Sequence, residues 1–234
     1  MREGYKTLGI IGGMGSKATS VFFDRLVDHT AASCDQEHIN TVILNYADFP
    51  DRTASIRSGE TEEITAAFEK CGRQLDYLGV SNIAITCNTA HYFIDSVRKS
   101  TSANVISMIE ESVRLARSEG ARRIGIMATD GTVMADVYGK VCSAEGLTAV
   151  YPPAERQADV MSLIYDDIKQ GRPGDPEKFN RVMKQFAEDD CDKVILACTE
   201  LSVYKETNDV PDMCIDAMDV LVRVCIEKSG ASYI

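Results

Sequence analysis

The sequence predicts an α/β protein made of two related domains, each built around a parallel sheet. Short apolar runs alternate with segments of helical period, which is the pattern of parallel strands joined by crossover helices. The same order of motifs occurs twice along the chain. A length of 234 residues accommodates two domains of about 100 residues each, and 44% apolar residues suffice for a substantial core.

The first half of the chain is predicted to form parallel strands with helices between them. The apolar runs expected to be strands lie at residues 8–11, 41–44, 83–85 and 105–108. Between the second and third runs, apolar residues recur at spacings of three and four, which predicts a helix that covers the sheet. The stripe on this helix consists of Ile64, Phe68, Cys71, Leu75 and Leu78.

The second half repeats this pattern, beginning with RRIGIMATDGTV. Its predicted elements are helical segments around residues 134–141 and 159–169 and a buried run at residues 194–197. Aligning LGIIGGMGS with IGIMATDGT, and ITCNTA with LACTEL, places Gly9 against Gly125 and Cys87 against Cys198. The intervals from glycine to cysteine are 78 and 73 residues, and their similarity predicts two related α/β units.

The domain boundaries are predicted from where this pattern restarts. We expect the first domain to comprise residues 1–105 together with residues 211–234, and the second to comprise residues 106–210. The C-terminal part contains a predicted strand at residues 214–215 and a helix after Met218, which would return the chain to the first domain.

Charge and cysteine content exclude several classes of partner. The formal net charge is −11 and no Lys/Arg-rich run offsets it, so nucleic acid and anionic membranes are not expected partners. No span approaches the roughly 18 apolar residues of a transmembrane helix, and no signal peptide is expected. The eight cysteines follow no disulfide framework and include no CxxC pair, so we expect reduced thiols, no metal site and a cytoplasmic protein.

Two cysteines occupy positions suited to a reactive thiol in a ligand-binding site. Cys87 and Cys198 each follow a predicted buried strand and precede a predicted helix, so both are expected at the carboxyl edge of a sheet, where ligands bind. Asn88, Thr89 and Thr199 are natural helix caps, and the free amides of a helix start lower a thiol's pKa and attract a carboxylate.

Taken alone, a cysteine at a strand end is better explained as a small core residue, and we assign the other six cysteines to that role. The repeat distinguishes Cys87 and Cys198, because equivalent positions in two units allow two thiols to face each other across a cleft. Two opposed thiols suit inversion of an amino acid: one thiolate removes the Cα proton and the other thiol protonates the opposite face. The two sulfurs are then expected about 7 Å apart.

Six sequence motifs together resemble those of a known protein family. GIIGGMGSKAT, FPDRTASI, TCNTAH, IGIMATDGT, VMSLIYDDIKQG and ACTELS occur in order along nearly the whole chain. They resemble the aspartate/glutamate racemase family, in its aspartate racemase branch. The resemblance implies two pseudo-symmetric, Rossmann-like α/β domains, an active site in the interdomain cleft, a homodimer, and catalysis without pyridoxal phosphate or any other cofactor.

The resemblance also assigns roles to particular residues. It implies that Arg52 and Lys169 hold the side-chain carboxylate of the substrate. The further substrate-binding residues expected are Met14, Asn88, Thr89, Thr132 and Thr199, with His91, Tyr165 and Glu200 as supporting residues. His91 and Glu200 fit either tuning of a thiol or simple capping and packing. One departure from the family pattern is Ser16, where the family usually has proline, which leaves this turn less rigid and changes the setting of Lys17.

The predicted reaction is the interconversion of L- and D-aspartate. Glutamate and a broader range of amino acids remain alternatives for the substrate. Maleate isomerases, hydantoin racemases and decarboxylases of the same superfamily reuse the fold, so other reactions stay open as well.

Three other classes start from different residues. The segment 13–18 fits GxGxxA after a strand and predicts a dinucleotide-dependent dehydrogenase, although Asp48 lies farther along the chain than its ribose ligand usually does. A non-catalytic amino acid binding protein would need neither cysteine. Cys87 with His91 fits a cysteine hydrolase, but the sequence offers no third, orienting residue.

Overall fold

A computed structural model of the chain describes residues 6–234, which divide into two compact units. The first unit extends to Met108 and includes Met218–Ile234, and the second is Ile109–Ala217. Each unit is a four-stranded parallel sheet with helices around it, so the predicted fold class is confirmed. Within residues 6–234, no helix is long and apolar enough to cross a membrane.

The sheet of the first unit has the strand order β2-β1-β3-β4, and all of its pairs are parallel. The strands are β1 (Leu8–Gly12), β2 (Thr41–Asn45), β3 (Asn82–Ile85) and β4 (Asn104–Ile106). The helices are α1 (Ser16–Asp28), α2 (Arg52–Ser58), α3 (Glu62–Tyr77) and α4 (Ile94–Lys99), with short 3-10 turns at Asp35–Glu37 and Thr89–Phe93. The central strand β1 is buried along its whole length, as expected of a strand covered on both faces.

Helix α3 covers this sheet largely as its sequence predicts. Ile64, Phe68, Cys71 and Leu75 are buried in the core of the unit. Leu78 was predicted to continue the stripe, but it lies just past the last helical residue and is 53% exposed. The prediction was wrong there because the chain leaves the helix at this point and turns through Gly79, whose φ is +68°.

The second unit has the order β6-β5-β7-β8, again with parallel pairs. Its strands are β5 (Arg123–Ala128), β6 (Thr148–Val150), β7 (Lys193–Ala197) and β8 (Cys214–Asp216). Its helices are α5 (Met108–Ser118), α6 (Asp130–Ala135), α7 (Val137–Ala144), α8 (Ala154–Ser162), α9 (Pro176–Glu188) and α10 (Thr199–Lys205). The chain enters α5 at Met108, so the strand expected at residues 105–108 is shorter and ends at Ile106.

Two predicted helices of this unit are interrupted. The segment around residues 134–141 is split between α6 and α7 by Asp136, which has a left-handed φ of 49°. The segment 159–169 passes from α8 into a π-helical turn, Leu163–Asp167, and then into the 3-10 turn Ile168–Gln170. π-Helical turns are frequent at functional sites. This π-helical turn contains Tyr165, and the 3-10 turn after it contains Lys169; both residues were predicted to bind the substrate or support its binding.

The two sheets share more than their strand order. Gly9 of β1 pairs with Ile83 of β3, and Gly125 of β5 pairs with Val194 of β7. Counting four residues onward from Ile83 and Val194 gives Cys87 and Cys198. The aligned cysteines therefore occupy equivalent places in their sheets.

The glycines of this alignment have a packing role. A Cβ on Gly9 would lie 3.0 Å from the Leu75 side chain of α3, and a Cβ on Gly125 would lie 2.6 Å from the Phe186 ring of α9. Each glycine thus lets a crossover helix pack directly on the central strand of its sheet. The internal repeat in the sequence therefore reflects a repeated packing arrangement.

The C-terminal segment differs from its predicted assignment. The strand at residues 214–215 was expected to accompany the first domain, but β8 pairs with β7 in the second sheet. The chain joins the first unit at Met218, within the last helix, α11 (Ala217–Lys228). There the guanidinium of Arg25 on α1 forms an ion pair with the Asp219 carboxylate at 2.6 Å. The side-chain amide of Asn82 donates a hydrogen bond to the Lys228 carbonyl at 3.2 Å.

Candidate active site

Cys87 lies at the carboxyl end of β3, two residues beyond its last strand residue. It is buried, with 8% of its surface exposed. A 3-10 turn, Thr89–Phe93, follows in place of the α-helix expected there, and the Asn88 side chain makes no capping hydrogen bond to it. The strand-end position agrees with the sequence, whereas the helix cap predicted for Asn88 is not formed.

His91 fixes the backbone around Cys87. Its Nε2 accepts a hydrogen bond from the Met108 amide at 3.0 Å, and its Nδ1 lies 2.9 Å from the Cys87 carbonyl oxygen. An amide can only donate and a carbonyl can only accept, so this pair of contacts requires a neutral ring with its proton on Nδ1. His91 therefore positions the cysteine through its main chain.

The glycine-rich loop after β1 is tied to the residue that precedes Cys87. The Gly13 amide donates to Thr19 Oγ1 at 3.1 Å, and Thr19 Oγ1 lies 3.2 Å from Thr86 Oγ1. Gly13 has a φ of 93°, and a Cβ there would overlap the Tyr46 backbone, so only glycine fits this turn. Sequence reasoning missed both threonines, although Thr86 stands inside the TCNTAH motif.

Ser16, the departure from the family pattern, begins helix α1. Its hydroxyl accepts a hydrogen bond from the Asn45 side chain at 3.0 Å. This bond joins the start of α1 to the end of β2, and a proline could not make it. The turn therefore has a polar restraint in place of a rigid ring.

Arg52 and Met14 meet in the first unit. Asp51 caps helix α2 by accepting from the Ala54 amide at 2.7 Å, which places Arg52 at the first helical position. The guanidinium donates to the Pro50 carbonyl at 3.0 Å and to the Met14 carbonyl at 3.2 Å. Its Nε is buried and has no hydrogen-bond partner among the described residues. A guanidinium in this state retains capacity to bind an anion.

Cys198 directly follows β7 and is the N-cap residue of α10. It is 7% exposed. Its thiol donates to Glu200 Oε2 at 2.9 Å, and the Thr199 hydroxyl donates to the same oxygen at 3.4 Å. Thr199 was expected to cap the helix, but it is the first helical residue and its side chain contacts the carboxylate of Glu200.

The surroundings of Cys198 overturn one expectation. A helix start was predicted to lower the thiol pKa, but burial raises the pKa of Cys198 well above its usual value, and the Glu200 carboxylate raises it further. Lys169 opposes this effect and lowers the pKa. The thiol form of Cys198 is therefore favoured.

Lys169 and Tyr165 join the same cluster. Lys169 Nζ lies 3.5 Å from Glu200 Oε1 and 4.7 Å from the centroid of the Tyr165 ring. Five residues predicted for the site thus come together in the second unit, namely Cys198, Thr199, Glu200, Lys169 and Tyr165.

Thr132 lies in helix α6, four residues beyond the end of β5, which with β7 forms the centre of this sheet. Thr129 caps helix α6 by accepting from the Thr132 amide, and the two hydroxyl oxygens are 3.2 Å apart. Gln157, which sequence reasoning missed, donates from Nε2 to the Ala128 carbonyl at 3.0 Å and to Asp130 at 2.8 Å. Nothing in the spacing of Gln157, on helix α8, points to this contact.

Sequence reasoning also missed a hydrogen bond made by helix α10, the helix that follows Cys198. Ser202 donates to the buried carboxylate of Asp216 at 2.6 Å, which links α10 to the end of β8. The serine ends the ACTELS motif, so the motif contains a signal for this bond. Among residues 6–234, no group of three or more His, Cys, Asp or Glu side chains is arranged to hold a metal ion.

Comparisons with known proteins agree with this architecture. A family profile described as Asp/Glu/Hydantoin racemase matches residues 11–225. The aspartate racemase of Picrophilus torridus is 28% identical, with a TM-score of 0.82 over 98% of this chain and 96% of that chain. A broad-specificity amino-acid racemase from Bacillus subtilis is 26% identical over 96% of both sequences.

A more distant structure shares the fold. The glutamate racemase of Francisella tularensis, solved with D-glutamate, is 17% identical with a TM-score of 0.64 over 96% of this chain and 81% of that chain. Because the profile covers most of the sequence, the family predicted from the motifs is confirmed. The chain belongs to the Asp/Glu/Hydantoin racemase family of isomerases.

Proposed function

We propose that this chain interconverts L- and D-aspartate through two cysteine thiols, without pyridoxal phosphate. The observation that carries the proposal is the equivalence of Cys87 and Cys198, each four residues beyond the strand residue paired with the aligned glycine. Packing alone does not require a cysteine at both places. Inversion of Cα does require an acid/base group for each face.

In the proposed reaction, the thiolate of one cysteine takes the Cα proton and the electron pair of the C–H bond remains on the substrate. The resulting charge spreads into the α-carboxylate, where amide and hydroxyl donors stabilise it. The candidate donors are Asn88 and Thr89 in the first unit and Thr132 and Thr199 in the second. The thiol of the other cysteine then returns a proton from the opposite face, so the enzyme ends with the two protonation states exchanged.

Two cations support an acidic substrate. The Arg52 guanidinium has a buried Nε without a hydrogen-bond partner in the described part of the chain. Lys169 contacts the Glu200 carboxylate, which in turn accepts a hydrogen bond from the Cys198 thiol. The aspartate racemase activity named for the relative from Picrophilus torridus agrees with this preference. The broad specificity named for the relative from Bacillus subtilis makes a wider substrate range the second candidate.

The test is incubation of the reduced protein with L-aspartate, and separately with L-glutamate, in deuterated water without cofactor. We expect the D-enantiomer to form with deuterium at Cα, and the faster substrate to define the specificity. Cys87→Ser and Cys198→Ser should each abolish racemisation, whereas Cys34→Ser, which removes an exposed thiol, should leave it unchanged. Absence of exchange with any amino acid would overturn the proposal.

The dehydrogenase alternative is weakened by the glycine-rich loop. A pyrophosphate site needs the loop amides to point at the ligand, but the Gly13 amide donates to Thr19 within the protein. Binding of a nicotinamide dinucleotide, measured by calorimetry, would favour the dehydrogenase. Aspartate binding that persists in both serine variants, with no exchange in wild type, would favour a non-catalytic binding protein.

We further propose that the protein works as a homodimer in the cytoplasm, as its resemblance to aspartate racemases implies. Sedimentation equilibrium should give twice the chain mass of 25.7 kDa. A species with the single-chain mass at micromolar concentration would contradict the dimer.

A further inference from the structure

The carboxylate of Glu200 has no assigned part in the two-thiol reaction, yet it contacts one of the thiols. Its side chain is 10% exposed. Oε2 accepts from the Cys198 thiol at 2.9 Å and from the Thr199 hydroxyl at 3.4 Å, while Oε1 faces the Lys169 ammonium at 3.5 Å. A buried carboxylate at this position affects the protonation of the sulfur more than a distant surface charge would.

The pattern of partners shows where the proton lies. The ammonium of Lys169 and the hydroxyl of Thr199 both direct hydrogens at the Glu200 carboxylate. An ionised carboxylate can only accept, so the remaining proton of the pair is on the sulfur of Cys198. Loss of that proton would leave two negative charges in a buried site.

We propose that Glu200 is a positioning residue that keeps Cys198 protonated in the free protein, so that Cys198 rests as the proton donor. The part of this inference that concerns catalysis rests on the proposed racemase function. In that reaction the first proton abstraction from the substrate falls to Cys87.

Among the groups that face Cys198, those that favour the protonated thiol outweigh the one that opposes it. Burial and Glu200 raise the pKa of Cys198, and Lys169, from the 3-10 turn Ile168–Gln170, lowers it. Tyr138 of α7 also faces the thiol. It is fully buried and its own pKa is raised well above the usual value, so it stays neutral. Lys169 is therefore the cation that moderates the effect of Glu200.

A racemase must also use Cys198 as a base, because the opposite enantiomer presents its Cα proton to that side. Lys169 is the cation proposed to bind the side-chain carboxylate of the substrate, so substrate and Glu200 compete for one ammonium. Lys169 lowers the pKa of Cys198, so the position of this ammonium decides how readily the thiolate needed for that direction forms.

The test is a pH titration of the cysteine Cβ resonances by NMR, with cysteine labelled with carbon-13 and assigned through Cys87→Ser and Cys198→Ser. Glu200→Gln keeps the size and the hydrogen-bond acceptor but removes the charge. We expect it to lower the Cys198 midpoint by about one pH unit, a roughly tenfold change in thiolate fraction, and to leave Cys87 unchanged. Lys169→Met should move the Cys198 midpoint upward.

The control is Glu188→Gln, which removes the charge of an exposed carboxylate that pairs with Lys184 on α9. It should move neither midpoint. An unchanged Cys198 midpoint in Glu200→Gln, or equal shifts of both cysteines, would overturn the inference. If Glu200→Gln does not fold, a Cys198 midpoint that stays in place or falls in Lys169→Met overturns it equally. The titration needs no turnover, so absence of racemase activity would count against the proposed function alone.

Discussion

The two units place a cysteine at the same point of the same sheet and surround it with different chemistry. Ile83 and Cys87 of the first unit correspond to Val194 and Cys198 of the second at a constant offset of 111 residues. In the first unit, neutral His91 holds the cysteine through its carbonyl oxygen. In the second, a carboxylate accepts directly from the thiol. The repeated fold determines where each cysteine lies, and the residues that follow determine which groups contact it.

This difference follows from the residues at equivalent positions. At the same offset, Thr89 corresponds to Glu200 and His91 corresponds to Ser202. In the second unit a carboxylate therefore contacts the sulfur, whereas in the first the His91 ring contacts the carbonyl oxygen of the cysteine. We infer that Glu200 gives Cys198 a preference for the protonated form that the repeated fold alone does not set.

The largest expected effect comes from removing either thiol. Serine is a far weaker acid and base than cysteine, so Cys87→Ser and Cys198→Ser should each lower kcat for racemisation by about 10²–10⁴-fold. Chiral chromatography of the product measures the loss. A variant that retains wild-type kcat would show that only one unit supplies a base.

The second effect concerns the two cations. Arg52→Met and Lys169→Met should each lower kcat/KM for aspartate by roughly ten- to hundredfold, because a charge-assisted hydrogen bond contributes about 1.5–3 kcal/mol. Lys184→Met, which changes an exposed lysine on α9, is the control and should have no effect. If these variants lowered kcat/KM for alanine as a substrate by the same factor as for aspartate, the two cations would not be recognising the side-chain carboxylate.

The third effect compares the packing glycines of the two units. Gly125→Ala would place a methyl group 2.6 Å from the Phe186 ring, whereas Gly9→Ala would place one 3.0 Å from the Leu75 side chain. Overpacking costs about 1–3 kcal/mol, and we expect the larger cost at Gly125 because a buried ring yields less than a leucine. Thermal unfolding should therefore show a lower Tm for Gly125→Ala than for Gly9→Ala. Gly59→Ala, at a left-handed position with open space around it, separates backbone strain from packing.

The order of the two Tm values decides this prediction. Equal losses, or a larger loss for Gly9→Ala, would show that helix α9 adapts to the added methyl group more readily than α3 does.

The sequence predicted the repeated architecture because that information is local and periodic. Apolar runs defined the strands, and the spacing from Gly9 to Cys87 and from Gly125 to Cys198 revealed the duplication. The ends of parallel strands lie at one edge of a sheet, so the placement of the cysteines followed from strand order alone. Arg52 and Lys169 came only from the resemblance to a known family.

Other features depend on backbone geometry that no spacing specifies. The contact between Cys198 and Glu200 requires the extended φ and ψ of Cys198, −151° and 134°, at the start of α10. The break at Asp136 needs a left-handed residue that is not glycine, which is uncommon. The pairing of β8 with β7 is decided by long-range packing.

The most direct test of a two-thiol mechanism is to measure Cα–deuterium exchange and inversion separately, for each enantiomer of aspartate, in deuterated water. In Cys198→Ser, Cys87 still removes a proton and returns a deuteron to the same face, so one enantiomer should exchange without inverting. Cys87→Ser should show the same behaviour with the other enantiomer. Loss of exchange for both enantiomers in either variant, or exchange of the same enantiomer in both, would contradict the assignment of one thiol to each face.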